Sequence, residues 1–141
     1  MNNGPIIIID DDEDDKEILE EILRELEVQN EIVWFAKSND AFQFLLSGNN
    51  QPFIIFSDIN LPGESGVEFK KLVDEDPELK KKSIPFVFFS TAADIATVND
   101  VYSKMTVQGY FQKPNRYAET KNVIRLIVDY WRVCKHPNSS E

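Results

Sequence analysis

Pro5-Ile6-Ile7-Ile8-Ile9-Asp10-Asp11 is an apolar run that stops abruptly on two carboxylates. Four isoleucines in a row leave no polar face, so the segment reads as a strand covered on both sides, as in a parallel sheet. The run is far too short for a signal-peptide core or a membrane span. Outward from it, the same pattern returns at 53–58 (FIIFSD) and 84–90 (IPFVFFS), and less continuously at 31–36 (EIVWFA) and 107–112 (VQGYFQ). These segments predict five strands.

Helical periodicity fills the gaps. Ile18, Leu19, Ile22, Leu23 and Leu26 form one stripe with acids opposite. Ser38 predicts a cap for a helix carrying Ala41, Phe42, Leu45 and Leu46, ended by Gly48. Val67, Phe69, Leu72 and Val73 make a third helix, stopped before Pro77. Asp94 caps a fourth, with Ile95, Val98, Tyr102 and Met105 on one side. Asn115 caps a fifth, with Val123, Ile124, Ile127, Tyr130 and Trp131. Lys80-Lys81-Lys82 reads as a solvated loop. Strands alternating with helices predict a doubly wound α/β domain with a five-stranded parallel sheet. The domain is expected over residues 1–134, followed by a polar, frayed tail over 135–141.

Hydrophobic residues make up 42% of the 141, which excludes a disordered chain and fits one domain with a real core. The net charge of −10 disfavours direct binding to nucleic acid, and nothing suggests a membrane partner. The lone Cys134 cannot form an internal disulfide, so the cytoplasm is the expected compartment. Eleven acidic residues lie between Asp10 and Glu27. A solvated helix face accounts for most of them from Glu13 onward, but not for those abutting the first strand.

In open α/β sheets, sites form at the carboxyl ends of the strands. Strand one ends in Asp10-Asp11, strand three in Asp58, strand four in Ser90-Thr91 and strand five in Lys113-Pro114. Taken singly, each has an ordinary explanation: an acidic capping turn, an Asx turn, a strand-end hydroxyl, an exposed lysine. Their coincidence at one edge does not. Carboxylates at this spacing call for a cation, since two unit charges ~4 Å apart interact by about 4 kcal/mol at an effective dielectric near 20. Mg²⁺ takes one or two carboxylates plus phosphate oxygens. Ser90 can donate to a phosphoryl oxygen and Lys113 can pair with its charge, which together serve phosphoryl transfer.

The segments IIIIDDDEDD, SDINLPGESG, PFVFFSTA and GYFQKP, in this order, resemble the motif set of bacterial response-regulator receivers (the CheY-like superfamily) over residues 5 to about 133. The resemblance implies a flavodoxin-like sheet of order 2-1-3-4-5. It implies Asp58 as phosphoacceptor, Asp11 as a direct Mg²⁺ ligand, Asp10 acting mainly through a metal-bound water, and Asn60 supplying a backbone carbonyl. Mn²⁺ is an expected substitute for Mg²⁺. Ser90 takes the switch-hydroxyl position, Lys113 the phosphate-pairing position and Tyr110 the switch aromatic, and the Lys113–Pro114 bond is expected to be cis. Thr91 stands where receivers commonly have Ala, which narrows the mouth of the site. Ser57 is more polar than usual before the acceptor, and Ala92 cannot hold a hydrolytic water. The Tyr130-Trp131 end of the last helix is similar to stand-alone receivers of the phytochrome-associated type.

The implied function is that of a signalling acceptor rather than a turnover enzyme, one that catalyses its own phosphorylation and slow dephosphorylation. Its expected partners are a sensor histidine kinase or phosphotransfer protein, a downstream protein target, and a second copy through helix four, strand five and helix five. With no effector domain after the last helix, output is expected to pass through protein contacts. Two alternatives stand beside it. A haloacid-dehalogenase-like phosphatase would use Asp10-x-Asp12 as its opening motif, but Asp14 occupies a position where that family wants Thr or Val. A receiver fold that only binds, and is never phosphorylated, would not need the intact acceptor, acidic pair, hydroxyl and lysine.

Overall fold

The computed structural model describes residues 3–48, 51–92 and 94–135. The element order is β1 (Ile6–Ile9), α1 (Glu13–Glu25), β2 (Ile32–Phe35), α2 (Ser38–Ser47), β3 (Ile54–Ser57), α3 (Gly66–Glu75), α4 (Pro77–Lys82), β4 (Phe86–Ser90), α5 (Ile95–Lys104), β5 (Gly109–Gln112) and α6 (Tyr117–Val133). All strand pairings are parallel, in the order β2-β1-β3-β4-β5. The predicted sheet is therefore the observed one.

The apolar runs work through the two-residue period of a strand. Ile6, Ile8, Ile54, Phe56, Val87 and Phe89 face one way and pack against Leu19, Ile22 and Leu23 of α1 and Ile124, Ile127 and Val128 of α6. Ile7, Ile9, Ile55, Phe86 and Phe88 face the other way, onto Ala41 and Leu45 of α2, Phe69 and Val73 of α3, Leu79 of α4 and Val101 of α5. Each large apolar side chain so buried contributes about 1.5–3 kcal/mol. The edge strands β2 and β5 are only partly covered, which explains their less continuous sequences.

Several local expectations change. The third helix does stop before Pro77, at Glu75, but Pro77 also begins a further helix. It sits at the first position of α4, where its missing N–H costs nothing, and Asp76 caps that helix by accepting from Glu78 and Leu79 N–H. Lys80-Lys81-Lys82 is thus the last turn of α4, where cations suit the helix dipole, and not a loop. Ser38 is the first residue of α2 and not its cap, because its hydroxyl is engaged with the Glu64 carbonyl and carboxylate. The cap of α6 is Arg116, one residue beyond Asn115. On α5 the buried residue is Val101, while Ile95 and Tyr102 lie exposed. Ile18 is likewise partly exposed at the margin of the α1 stripe, and Tyr130 on α6 is exposed. Among the described residues no peptide bond is cis, so Lys113–Pro114 is trans, the isomer an X–Pro bond prefers unless its surroundings impose the other. The expected frayed tail falls, apart from Lys135, outside the described residues. No helix among the described residues is long and apolar enough to cross a membrane.

Candidate functional site

Register sets the site. Ile9 pairs with both Phe35 and Ser57, so β1 and β3 end level with each other. The ladder continues one step further: Asp10 N–H donates to the Phe35 carbonyl at 3.1 Å and Asp58 N–H to the Ile9 carbonyl at 2.9 Å. Across the sheet, Ser90 pairs with Gln112, and Lys113 N–H donates to the Ser90 carbonyl at 2.8 Å. Four chemistry-bearing residues are thus fixed by main-chain bonds before any side-chain contact is made.

The Lys113 ammonium has three N–H donors, and each meets a carboxylate. Nζ lies 2.6 Å from Asp10 Oδ2, 2.9 Å from Asp15 Oδ2 and 3.0 Å from Asp58 Oδ2. Its side chain is 8% exposed, against 12% for Asp58. Burial disfavours the Lys113 ammonium, but the hydrogen bonds to Asp10 and Asp15 and the fields of Asp10 and Asp58 outweigh it, so Lys113 stays protonated above its ordinary range. For Asp10 the balance is opposite. Burial raises its pKa, and the hydrogen bonds from Lys113 and from Asp12 N–H offset that only in part.

The second Asp58 oxygen, Oδ1, accepts from Ile59 N–H at 2.7 Å and Asn60 N–H at 3.3 Å. Oxygens of Asp10, Asp11 and Asp58 lie within 4.8 Å of one another, Asp11 being exposed and Asp10 buried. Hard divalent cations take such oxygens. The turn behind the acceptor is equally fixed. Gly66, the first residue of α3, passes so close that a Cβ there would stand 2.2 Å from the Asp58 carbonyl oxygen. Ser65 and Glu68 close a capping box over the same turn.

The remaining predicted residues form a second ring. Ser90 is fully buried, and its hydroxyl accepts from Ala92 N–H at 3.2 Å. Thr91 is exposed and lines a cavity of about 290 Å³ shared with Asp15, Lys113 and Pro114. Tyr110, the expected switch aromatic, lies at the edge of the sheet. Its ring is half-buried and stacks obliquely on Phe88 at 5.9 Å, and its hydroxyl donates to the Ala92 carbonyl. Val101 of α5 packs in the core behind this ring.

Asp15 is the participant that the sequence reading missed. It is the third residue of α1, and its N–H is capped by the Asp12 carboxylate at 3.1 Å. In sequence it is one more acid in a helix's first turn, where acids are favoured anyway. The available signal was positional: an N-capped helix starting three residues after a strand-end carboxylate turns its first turn back over the strand ends. Asp12, the second acid of the motif that the phosphatase alternative would use, is the cap of α1.

Residues 6–125 match the response regulator receiver domain. The chain belongs to that family. Among curated proteins, the receiver is 27% identical over 142 residues to the DNA-binding transcriptional regulator NtrC of Proteus hauseri, covering all of this chain and 28% of that protein. It therefore spans well under half of that relative. It is 24% identical over 131 residues to response regulator Rcp1 of Synechocystis, covering 89% of this chain and 87% of the relative. Among solved structures, the phosphorylated cyanobacterial phytochrome response regulator RcpA superposes with a TM-score of 0.86 at 24% identity, covering 97% of this chain and 99% of that one. The Mn²⁺-bound form of response regulator Rcp1 superposes with a TM-score of 0.82 at 23% identity, covering 96% and 99%. At these identities the structural likenesses establish the fold alone.

Proposed function

We propose that the receiver accepts a phosphoryl group on Asp58 in a Mg²⁺-dependent reaction, from a sensor histidine kinase or a phosphotransfer protein in the cytoplasm, and signals through protein–protein contacts. The observation that carries this reading is the Asp58 carboxylate, level with Asp10 at the sheet edge and held by Lys113 at 3.0 Å. That Rcp1 has been solved with Mn²⁺ and RcpA in phosphorylated form supports it.

The donor set fits a hard divalent cation. Asp11 and Asp58 would hold it directly, the Asn60 carbonyl would complete the protein's share, and Asp10 would act at one remove. Mg²⁺, with Mn²⁺ as substitute, supplies when bound the positive charge that lets an anionic donor approach three carboxylates. The chain's own residues do the rest. An Asp58 carboxylate oxygen forms the new bond to phosphorus as the donor's bond to phosphorus breaks, and the leaving group departs on the far side. Ile59 and Asn60 N–H groups hold Oδ1 and so fix the plane of the carboxylate. Lys113, already in contact with Oδ2, is placed to pair with the charge that the phosphoryl oxygens bring. Ser90 and Thr91, at the end of β4, are the hydroxyl donors available to those oxygens.

Incubation with acetyl phosphate and Mg²⁺ tests the proposal by intact mass. A gain of one phosphoryl group, abolished by EDTA, is expected. An unchanged mass under conditions that keep the protein folded would contradict it.

A further inference from the structure

We infer that Asp15 is a positioning residue for phosphoryl transfer, occupying one donor of Lys113 and limiting how much of its positive charge reaches the acceptor. The inference rests on the reading of Asp58 as phosphoacceptor. It goes beyond that reading because Asp15 lies on α1, outside the strand ends that build the site.

The geometry is specific. Lys113 Nζ has all three donors engaged, by Asp10, Asp15 and Asp58. Asp10 and Asp58 are fixed by main-chain bonds at the sheet edge. The Asp15 contact alone comes from a helix, and its side chain is 37% exposed while Lys113 is 8% exposed. Asp15 and Lys113 also line a 290 Å³ cavity together with Thr91 and Pro114. An ordinary exposed ion pair would be worth little. Here one partner is buried at the site of reaction, so the pair changes the field where phosphate must arrive.

Charge then decides the direction. Asp10, Asp15 and Asp58 meet one ammonium, and Asp11 lies beside Asp10 and Asp58, which leaves the site strongly negative. Asp15 adds a unit negative charge to that balance and competes with an incoming phosphoryl oxygen for a Lys113 N–H. It need contribute nothing to the covalent step. Asp15 is therefore a brake on uptake of phosphate from an anionic donor.

The test compares the parent with Asp15→Asn, Asp15→Ala and Asp15→Glu, each at saturating Mg²⁺, following phosphorylation by acetyl phosphate. Asp15→Asn and Asp15→Ala should both react about fivefold faster than the parent at low salt, the effect of one unit charge acting through a half-solvated gap. Asp15→Glu should react like the parent, and the gap should shrink as ionic strength rises. A purely structural role gives another pattern, with Asp15→Asn matching the parent and Asp15→Ala slower, and that result would overturn the inference. If the parent itself takes up no phosphoryl group while folded, the functional reading fails and carries this inference down with it.

Discussion

Gly66 shows how tightly single residues bind the acceptor to its surroundings. Any side chain there must displace the Asp58 carbonyl, since a Cβ would lie 2.2 Å from it and 3.1 Å from Ile59 Cα. Gly66→Ala should therefore destabilise the fold by about 1–3 kcal/mol in urea titration and slow phosphorylation of Asp58. Gly63→Ala is the contrasting case: its φ of +79° strains an L side chain, but nothing lies within 4 Å. It should cost about 1–2 kcal/mol and leave phosphorylation unchanged. Equal damage to phosphorylation by both variants would count against the close approach as the cause. At this scale the sequence was most readable where backbone and chemistry coincide. Asp10, Asp58, Ser90 and Lys113 each terminate an apolar run, so their common edge followed from strand order alone. Asp15 did not, because its helix position already explains an acid. Ser38 and Asn115 misled for a related reason. Both are good capping types, but the cap falls to whichever residue the preceding strand delivers to the helix start, Lys37 and Arg116 here.

Among the elements, α5 and β5 differ from the rest. α5 buries only Val101 and leaves Ile95 and Tyr102 exposed, so little apolar area holds it to the sheet. Its tie to β5 is polar, Tyr110 N–H donating to the Tyr102 hydroxyl at 3.0 Å, and the loop that leads into it is held by the Tyr110 hydroxyl, which donates to the Ala92 carbonyl. A segment held this way is drawn from the less stable part of a fold. Movement of the Ser90 hydroxyl toward a phosphoryl oxygen would break its bond to Ala92 N–H, and Ala92 also holds Tyr110. Beryllofluoride with Mg²⁺ should thus change amide exchange across residues 94–117, and Ser90→Ala should bind the mimic while losing that change. The same exchange response in parent and variant would remove Ser90 from the switch. Why the α5 face was misjudged is now physical. Its apolar residues fall on two faces, and periodicity could not say which one the sheet would take. The extra helix α4 was hidden in the same way, since Pro77 ends one helix and opens the next in adjacent residues.

On the scale of the whole molecule, two closely packed layers around a parallel sheet hold a cluster of carboxylates whose repulsion Lys113 offsets with its three donors. A cation that binds the folded chain alone must stabilise it by mass action. At five times its dissociation constant, Mg²⁺ should add about 1 kcal/mol, or roughly 3–5 °C in melting temperature. Asp11→Ala should remove most of that rise at little cost to the metal-free fold, because Asp11 is exposed. A melting temperature indifferent to millimolar Mg²⁺ would mean that the carboxylates do not form a cation site. Phosphorylation of the Asp58 carboxylate is tested most directly by locating the modification. After treatment with acetyl phosphate and Mg²⁺, borohydride reduction and peptide mass mapping should place the reduced acyl phosphate at Asp58 alone, with none in Asp58→Asn. A phosphoryl group mapped to any other residue, or the same yield from Asp58→Asn, would contradict the account.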